Sequence, residues 1–189
     1  MSNRVLVFLG SPRKRANSTL LADQIAAGAQ AAGSGVETFG LHEMDIRPCR
    51  ACEGCHRPNS KGCVIDDDMQ ALYPKLREAD ALVIASPVYW FTVSAQTKLL
   101  MDRWYALEGP QGSALRGKRI AIALTYGDSD PFTSGAVNAL RTFQDAFRYV
   151  GADILGAVYG TASREGEIAD NQALMERAYR LGQQLVTPR

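Results

Sequence analysis

"RVLVFLGSPRKRANST" (residues 4–19) runs from an unbroken apolar segment into a basic turn and then a helix start. The stretch RVLVFLG (4–10) shows no alternation of apolar and polar residues, as expected of a strand buried on both faces. The segment NSTLLADQIAAGAQAAG (17–33) follows, with Leu21 and Ile25 at helical spacing, Asn17 or Ser18 available as a cap, and Gly33 as a stop. The same alternation continues along the chain. VETFGL (36–41) is a weaker strand, ALVIASPVYW (81–90) the clearest, and RIAIALTYG (119–127) and ADILGAVYG (152–160) complete five. Helical patterns lie between and after them at 66–80, 94–107, 133–151 and 170–186, and Pro74 is expected in the first turns of the first of these or as its break. Such alternation predicts an α/β three-layer sandwich: a five-stranded parallel sheet in the order 2-1-3-4-5, with helices on both faces. Ligands then bind beyond the carboxyl ends of the strands, where strand order reverses.

Composition bounds the answer. A chain of 189 residues, 46% hydrophobic and 22% charged, is expected to form one domain spanning 1–189. A net charge of +1 implies no general attraction to nucleic acid or acidic membranes. The N-terminal MSNRVLVFLGSPRKR places its short apolar run ahead of its basic residues, the wrong order for a signal peptide, and no run is long enough to span a bilayer. A cytoplasmic protein is expected, whose clustered cysteines serve metal or redox chemistry rather than disulfides.

The fold directs attention to three loops. The first offers Ser11, Arg13, Asn17, Ser18 and Thr19 at a helix start, a natural phosphate site. Gly10 is its only glycine, so it matches neither a Walker loop nor a dinucleotide fingerprint. The second places Pro87, Val88, Tyr89, Trp90 and Phe91 at the end of the most apolar strand, suited to a planar ring. The third, Thr125, Tyr126, Gly127 and Asp128, is small and allows close backbone approach. Together they point to a mononucleotide carrying a flat ring system, with FMN the candidate. No serine–histidine–acid set or carboxylate pair emerges, and no catalytic side chain is named. An acidic helix start explains Asp66, Asp67 and Asp68. Lys98, Asp102 and Arg103 read as a surface ion pair or interface contact.

The segments GSPRKRANSTLL, CRACEGCHRPNSKGCVIDDDM and SPVYWFTVSAQTKLLMDRW resemble the NADPH-dependent FMN reductase superfamily, especially its iron–sulfur flavoprotein and flavodoxin-like NAD(P)H:quinone oxidoreductase branch. The resemblance covers about residues 4 to 127. It implies a flavodoxin-like fold with the FMN phosphate on the first loop and the isoalloxazine ring on Pro87, Val88, Tyr89 and Trp90, closed by Thr125 to Asp128. It also implies a homodimer or homotetramer.

All four cysteines, Cys49, Cys52, Cys55 and Cys63, lie in PCRACEGCHRPNSKGC (48–63). The first three match the compact spacing at which thiolates reach one cluster, with Cys63 as a fourth ligand. The resemblance implies a [4Fe–4S] cluster; zinc and unmetallated thiols stay open beside it. The expected activity is an FMN-dependent NAD(P)H oxidoreductase acting on a quinone, a flavin or a similar small acceptor. The alternative is an electron carrier linking FMN, a cluster and a ferredoxin-like partner. A third class is a redox or metal sensor using the thiols, which calls for a lowered cysteine pKa or tight zinc binding.

Overall fold

The computed structural model describes residues 3–187. In chain order the elements are β1 (Arg4–Leu9), α1 (Asn17–Ala31), β2 (Gly35–Gly40), α2 (Met69–Glu78), β3 (Ala81–Tyr89), β4 (Thr92–Val93), α3 (Ala95–Arg103), β5 (Arg119–Tyr126), α4 (Ala136–Val150), β6 (Asp153–Thr161) and α5 (Gln172–Val186). The five long strands pair in parallel in the order β2-β1-β3-β5-β6. This is the expected 2-1-3-4-5 sheet of a flavodoxin-like fold. The sixth strand, β4, has only two residues and folds back antiparallel onto the end of β3, which makes a hairpin of what reads in sequence as a plain loop.

Period-two alternation divides the core. On one face Leu6, Phe8, Leu82, Ile84, Ile120, Ile122 and Leu124 pack beneath α2, α3 and α4. On the other, Val5, Val7, Val83, Ala85, Ala121 and Ala123 meet α1 and α5. The small residues on this second face let α1 and α5 lie low over the sheet, where the two helices cross backbone to backbone. A Cβ added at Gly28 would stand 2.0 Å from the Tyr179 carbonyl oxygen, and one at Gly182 would stand 1.9 Å from that of Ile25.

Pro74 sits inside α2 without ending it. Burial of Leu72, Tyr73 and Leu76 holds the helix against the sheet, and this tertiary packing outweighs the hydrogen bond that proline removes. Among the described residues no helix is long and apolar enough to cross a membrane.

Candidate functional site

The carboxyl ends of β1, β3 and β5 open on one cavity of about 290 Å³. Its wall contains Ser11, Arg13, Asn17, Pro87, Val88, Tyr89, Thr125, Tyr126 and Gly127, nine of the thirteen residues that the resemblance assigns to FMN.

The first loop is set by close packing. The Gly10 amide donates to the Ala85 carbonyl at 2.8 Å, and the Gly10 carbonyl accepts from Ser94 Oγ at 2.7 Å. A Cβ at Gly10 would stand 2.0 Å from Thr97 Oγ1, so only glycine fits there. Ser94 also caps α3 by accepting from the Thr97 amide, and its own amide donates to Ser86 Oγ at 2.9 Å. The chain entering α1 is thus fixed against the start of α3. The Arg13 amide donates to Ser11 Oγ at 3.2 Å, which tightens the turn.

At the start of α1, Ala16 occupies the cap position and supplies no side-chain acceptor for the first amides. Ser18 is 1% exposed and its Oγ has no hydrogen-bond partner. Asn17 lies in the cavity wall, and its side chain is also tied to the far side of the site. Its Nδ2 donates to the Arg164 carbonyl at 2.8 Å and its Oδ1 accepts from the Ile168 amide at 3.1 Å. The side chain lashes the loop between β6 and α5 to the start of α1.

That loop contributes Ala162, Ser163 and Glu165 to the wall, residues the sequence reading did not single out. The Ala162 amide donates to the Tyr126 carbonyl at 2.8 Å and Ser163 Oγ to the Gly127 carbonyl at 3.1 Å. The signal was available, because the last strand of a parallel sheet ends at the same edge as the others. Tyr126 lies against this seam, where burial pushes its hydroxyl pKa up and keeps it a phenol.

Four expected residues fall outside the wall. Ser18 and Thr19 lie within the first turn of α1, and Asp128 stands beyond Gly127 on the surface. Trp90 is 92% exposed. With Phe91 it forms the two-residue tip between β3 and β4, at φ 49° and 68°. Both values lie in the left-handed region, which hairpin tips usually fill with Asn-Gly because larger side chains are strained there.

The cysteines do not gather. Cys49 and Cys52 are exposed, Cys55 and Cys63 half-buried, and among the described residues no three cysteine, histidine or carboxylate groups stand as a metal-ligand set. His56 is engaged elsewhere, with its ring 4.4 Å from that of Tyr105 and its Nε2 2.9 Å from the Tyr105 carbonyl. The loop is instead held by the protein itself. Gln70 Nε2 donates to the carbonyls of Cys63 and Ile65 at 2.8 and 2.6 Å.

Arg103 also departs from expectation. It is buried rather than on the surface, and both ends of its guanidinium hold Asp67. Lys98 and Asp102 do form the exposed pair expected of them.

Residues 3–165 match the NADPH-dependent FMN reductase family. An iron–sulfur flavoprotein of Methanosarcina thermophila is 33% identical over 147 residues, which cover 78% of this chain and 74% of that protein. An FMN-dependent NADH:quinone oxidoreductase of Shewanella baltica is 27% identical over 182 residues, or 88% of this chain and 90% of its own. The solved NAD(P)H:quinone oxidoreductase of Methanothermobacter marburgensis shares the fold, with a TM-score of 0.73 over the whole of both chains at 18% identity. The chain therefore belongs to the NADPH-dependent FMN reductase family and is an oxidoreductase that works with FMN and NAD(P)H.

Proposed function

We propose that the protein binds FMN in the cavity at the ends of β1, β3 and β5 and uses NAD(P)H to reduce a quinone, a free flavin or a similar small flat acceptor. The observation that carries this reading is the convergence of nine residues from three loops, chosen for phosphate and ring chemistry, on one cavity.

The residues present fit the cofactor. The uncapped start of α1, the unpartnered buried hydroxyl of Ser18 and the guanidinium of Arg13 supply unmet donors and positive charge for a phosphate. Pro87, Val88 and Tyr89 on one side and Thr125 to Gly127 on the other offer apolar surface and backbone for a flat ring. When bound, FMN supplies the redox chemistry, exchanging hydride with the nicotinamide. The protein's part is to bind, orient and shield. Among the described lining residues Glu165 is the one carboxylate and there is no histidine, in keeping with chemistry that needs no acid–base pair from the protein. Next in the chain to Tyr89 of the wall, the exposed faces of Trp90 and Phe91 offer apolar surface to a planar acceptor.

As this structure arranges them, the four cysteines do not fit a [4Fe–4S] cluster, and no electron step is assigned to that loop. The carrier alternative is decided by kinetics. Steady NAD(P)H oxidation with a quinone supports the proposal, whereas rapid reduction by ferredoxin with no response to NAD(P)H would replace it.

The binding site is tested with Arg13→Ala. Loss of a charge-assisted hydrogen bond of about 1.5–3 kcal/mol should weaken FMN binding roughly tenfold to a hundredfold, with folding intact by circular dichroism. Unchanged affinity in a flavin-fluorescence titration would remove the phosphate assignment.

A further inference from the structure

The loop between β6 and α5 brings to the cavity a side chain that neither the phosphate nor the ring requires. A switch point between β1 and β3 calls on the loops after β1, β3 and β5, yet Ser163 and Glu165 stand in the same wall. Two ties hold them there. At one end Ser163 Oγ donates to the Gly127 carbonyl of the third loop at 3.1 Å. At the other, the Arg164 carbonyl accepts from Asn17 Nδ2, at the start of α1, at 2.8 Å. The segment is braced from behind as well, because Glu167 Oε2 accepts from the amides of Ser163 and Arg164 at 2.7 and 2.8 Å. Residues 163–165 therefore run between the third loop and the first, and the peptide held by Asn17 is the one that carries Glu165.

The chain does not use the Glu165 carboxylate for itself. Arg164 turns its guanidinium to Glu167, Nη2 to Oε1 at 3.5 Å. Arg15 Nη2 lies 3.7 Å from where a Cβ at Gly166 would stand. Neither pairs with Glu165, and among the described residues its carboxylate has no hydrogen bond or ion pair. In the wall it is the one side chain that accepts and cannot donate. Two other acceptors are spent on the backbone, Ser11 Oγ on the Arg13 amide and Asn17 Oδ1 on the Ile168 amide.

Between the ring of a flavin and its phosphate lies the ribityl chain, a row of neighbouring hydroxyls. A carboxylate suits such hydroxyls, because its two oxygens accept from neighbouring groups at once and a charged acceptor makes a hydrogen bond roughly twice as strong as a neutral one. Acidic residues take the ribose hydroxyls of dinucleotides for the same reason. We propose that Glu165 binds the ribityl hydroxyls of the flavin, so that the site reads the polyol chain as well as the phosphate and the ring. This deepens the proposed function and rests on it, since the ring and the phosphate fix where the chain between them runs. A carboxylate set against the phosphate would repel it, whereas Glu165 follows a segment tied to the ring side by Ser163 and to the phosphate side by Arg164.

The test titrates flavin-free full-length protein, by flavin fluorescence, with three ligands. They are FMN, riboflavin, which lacks the phosphate, and lumiflavin, which keeps the ring and carries a methyl group in place of the ribityl chain. Glu165→Ala and Glu165→Gln are compared with the parent, with folding checked by circular dichroism. Loss of a charge-assisted hydrogen bond should weaken FMN and riboflavin by the same factor, about tenfold in Glu165→Ala and less in Glu165→Gln, and leave lumiflavin unchanged. Unchanged affinity for FMN and riboflavin would overturn the proposal. So would tighter FMN binding by Glu165→Gln, the mark of a carboxylate that opposes the phosphate, or lumiflavin weakened as much as riboflavin, the mark of a damaged wall. Arg13→Ala separates this inference from the reading beneath it. If that variant weakens FMN and the Glu165 variants do not, the polyol assignment falls alone; if none of them does, the phosphate placement falls with it.

Discussion

A buried arginine is tolerable only when its charge is met, and Arg103 meets it on Asp67. Both side chains are fully buried. Asp67 also accepts from the amides of Arg47 at 3.0 Å and Met69 at 3.1 Å. Burial pushes the Asp67 carboxyl up, but the hydrogen bonds from Arg103 and these amides more than offset it and hold the pKa below its ordinary 3.8. A depressed carboxylate contributes stability that is present above the unfolded pKa and lost as pH falls through the folded one. Stability should therefore hold above about pH 3.8 and decline below it. Asp67→Asn leaves the guanidinium buried and unpaired, and should cost about 3–5 kcal/mol at neutral pH while flattening the acid limb. Urea unfolding of both proteins across a pH series measures this. An acid limb identical to that of the parent would show that another group titrates. None of this was legible in sequence: Asp67 reads as part of an acidic helix start, and Arg103 as the neighbour of Asp102. A pairing across 36 positions has no local signature.

At the scale of elements, the hairpin between β3 and β4 is the feature most at odds with local preference. Two aromatic residues occupy a tip whose backbone favours Asn-Gly, at about 1–3 kcal/mol for each strained residue. The tip is held in place by Asn138 Nδ2, which donates to the Phe91 carbonyl at 3.2 Å. Strain kept directly after Tyr89 of the cavity wall suggests side chains retained for contact with a ligand. Replacing Trp90 and Phe91 together by Asn and Gly should raise the melting temperature and, at the same time, raise KM for a quinone with little change in FMN affinity. If the melting temperature falls, the strain argument fails; if KM is unmoved, the tip is not part of the acceptor site. The sequence named Trp90 as a ring-binding residue from its neighbours, but it could not show that the chain turns back there. Only the pairing of Val88 with Val93 and of Tyr89 with Thr92 sends its side chain outward.

The whole molecule is a sheet whose large residues lie on one face and small residues on the other, with every long strand delivering a loop to one edge. A ligand that binds the folded chain alone stabilises it by mass action, by about 2.7 kcal/mol at a hundred times its Kd. FMN should therefore raise the melting temperature of the flavin-free protein in a concentration-dependent way. Riboflavin, which lacks the phosphate, should do so much less at equal concentration, because the donors at the start of α1 stay unmet. Equal stabilisation by both would place the phosphate outside that helix start.

Local chemistry carried much of this into the sequence. Continuous apolar runs identified the strands, because a strand buried on both faces has no polar side to show. Strand alternation with helices fixed the parallel order, and loop composition at the strand ends located nine wall residues. What the tertiary structure alone decided was how side chains far apart in sequence share their hydrogen bonds. Asn17 ties the 164–168 loop to the wall it also lines, Glu165 and Ser163 join that wall, and Arg103 reaches Asp67 and Cys63 instead of its sequence neighbours. Hydrophobic pattern is written residue by residue, whereas the partner of a buried polar group is set by which elements the fold brings into contact.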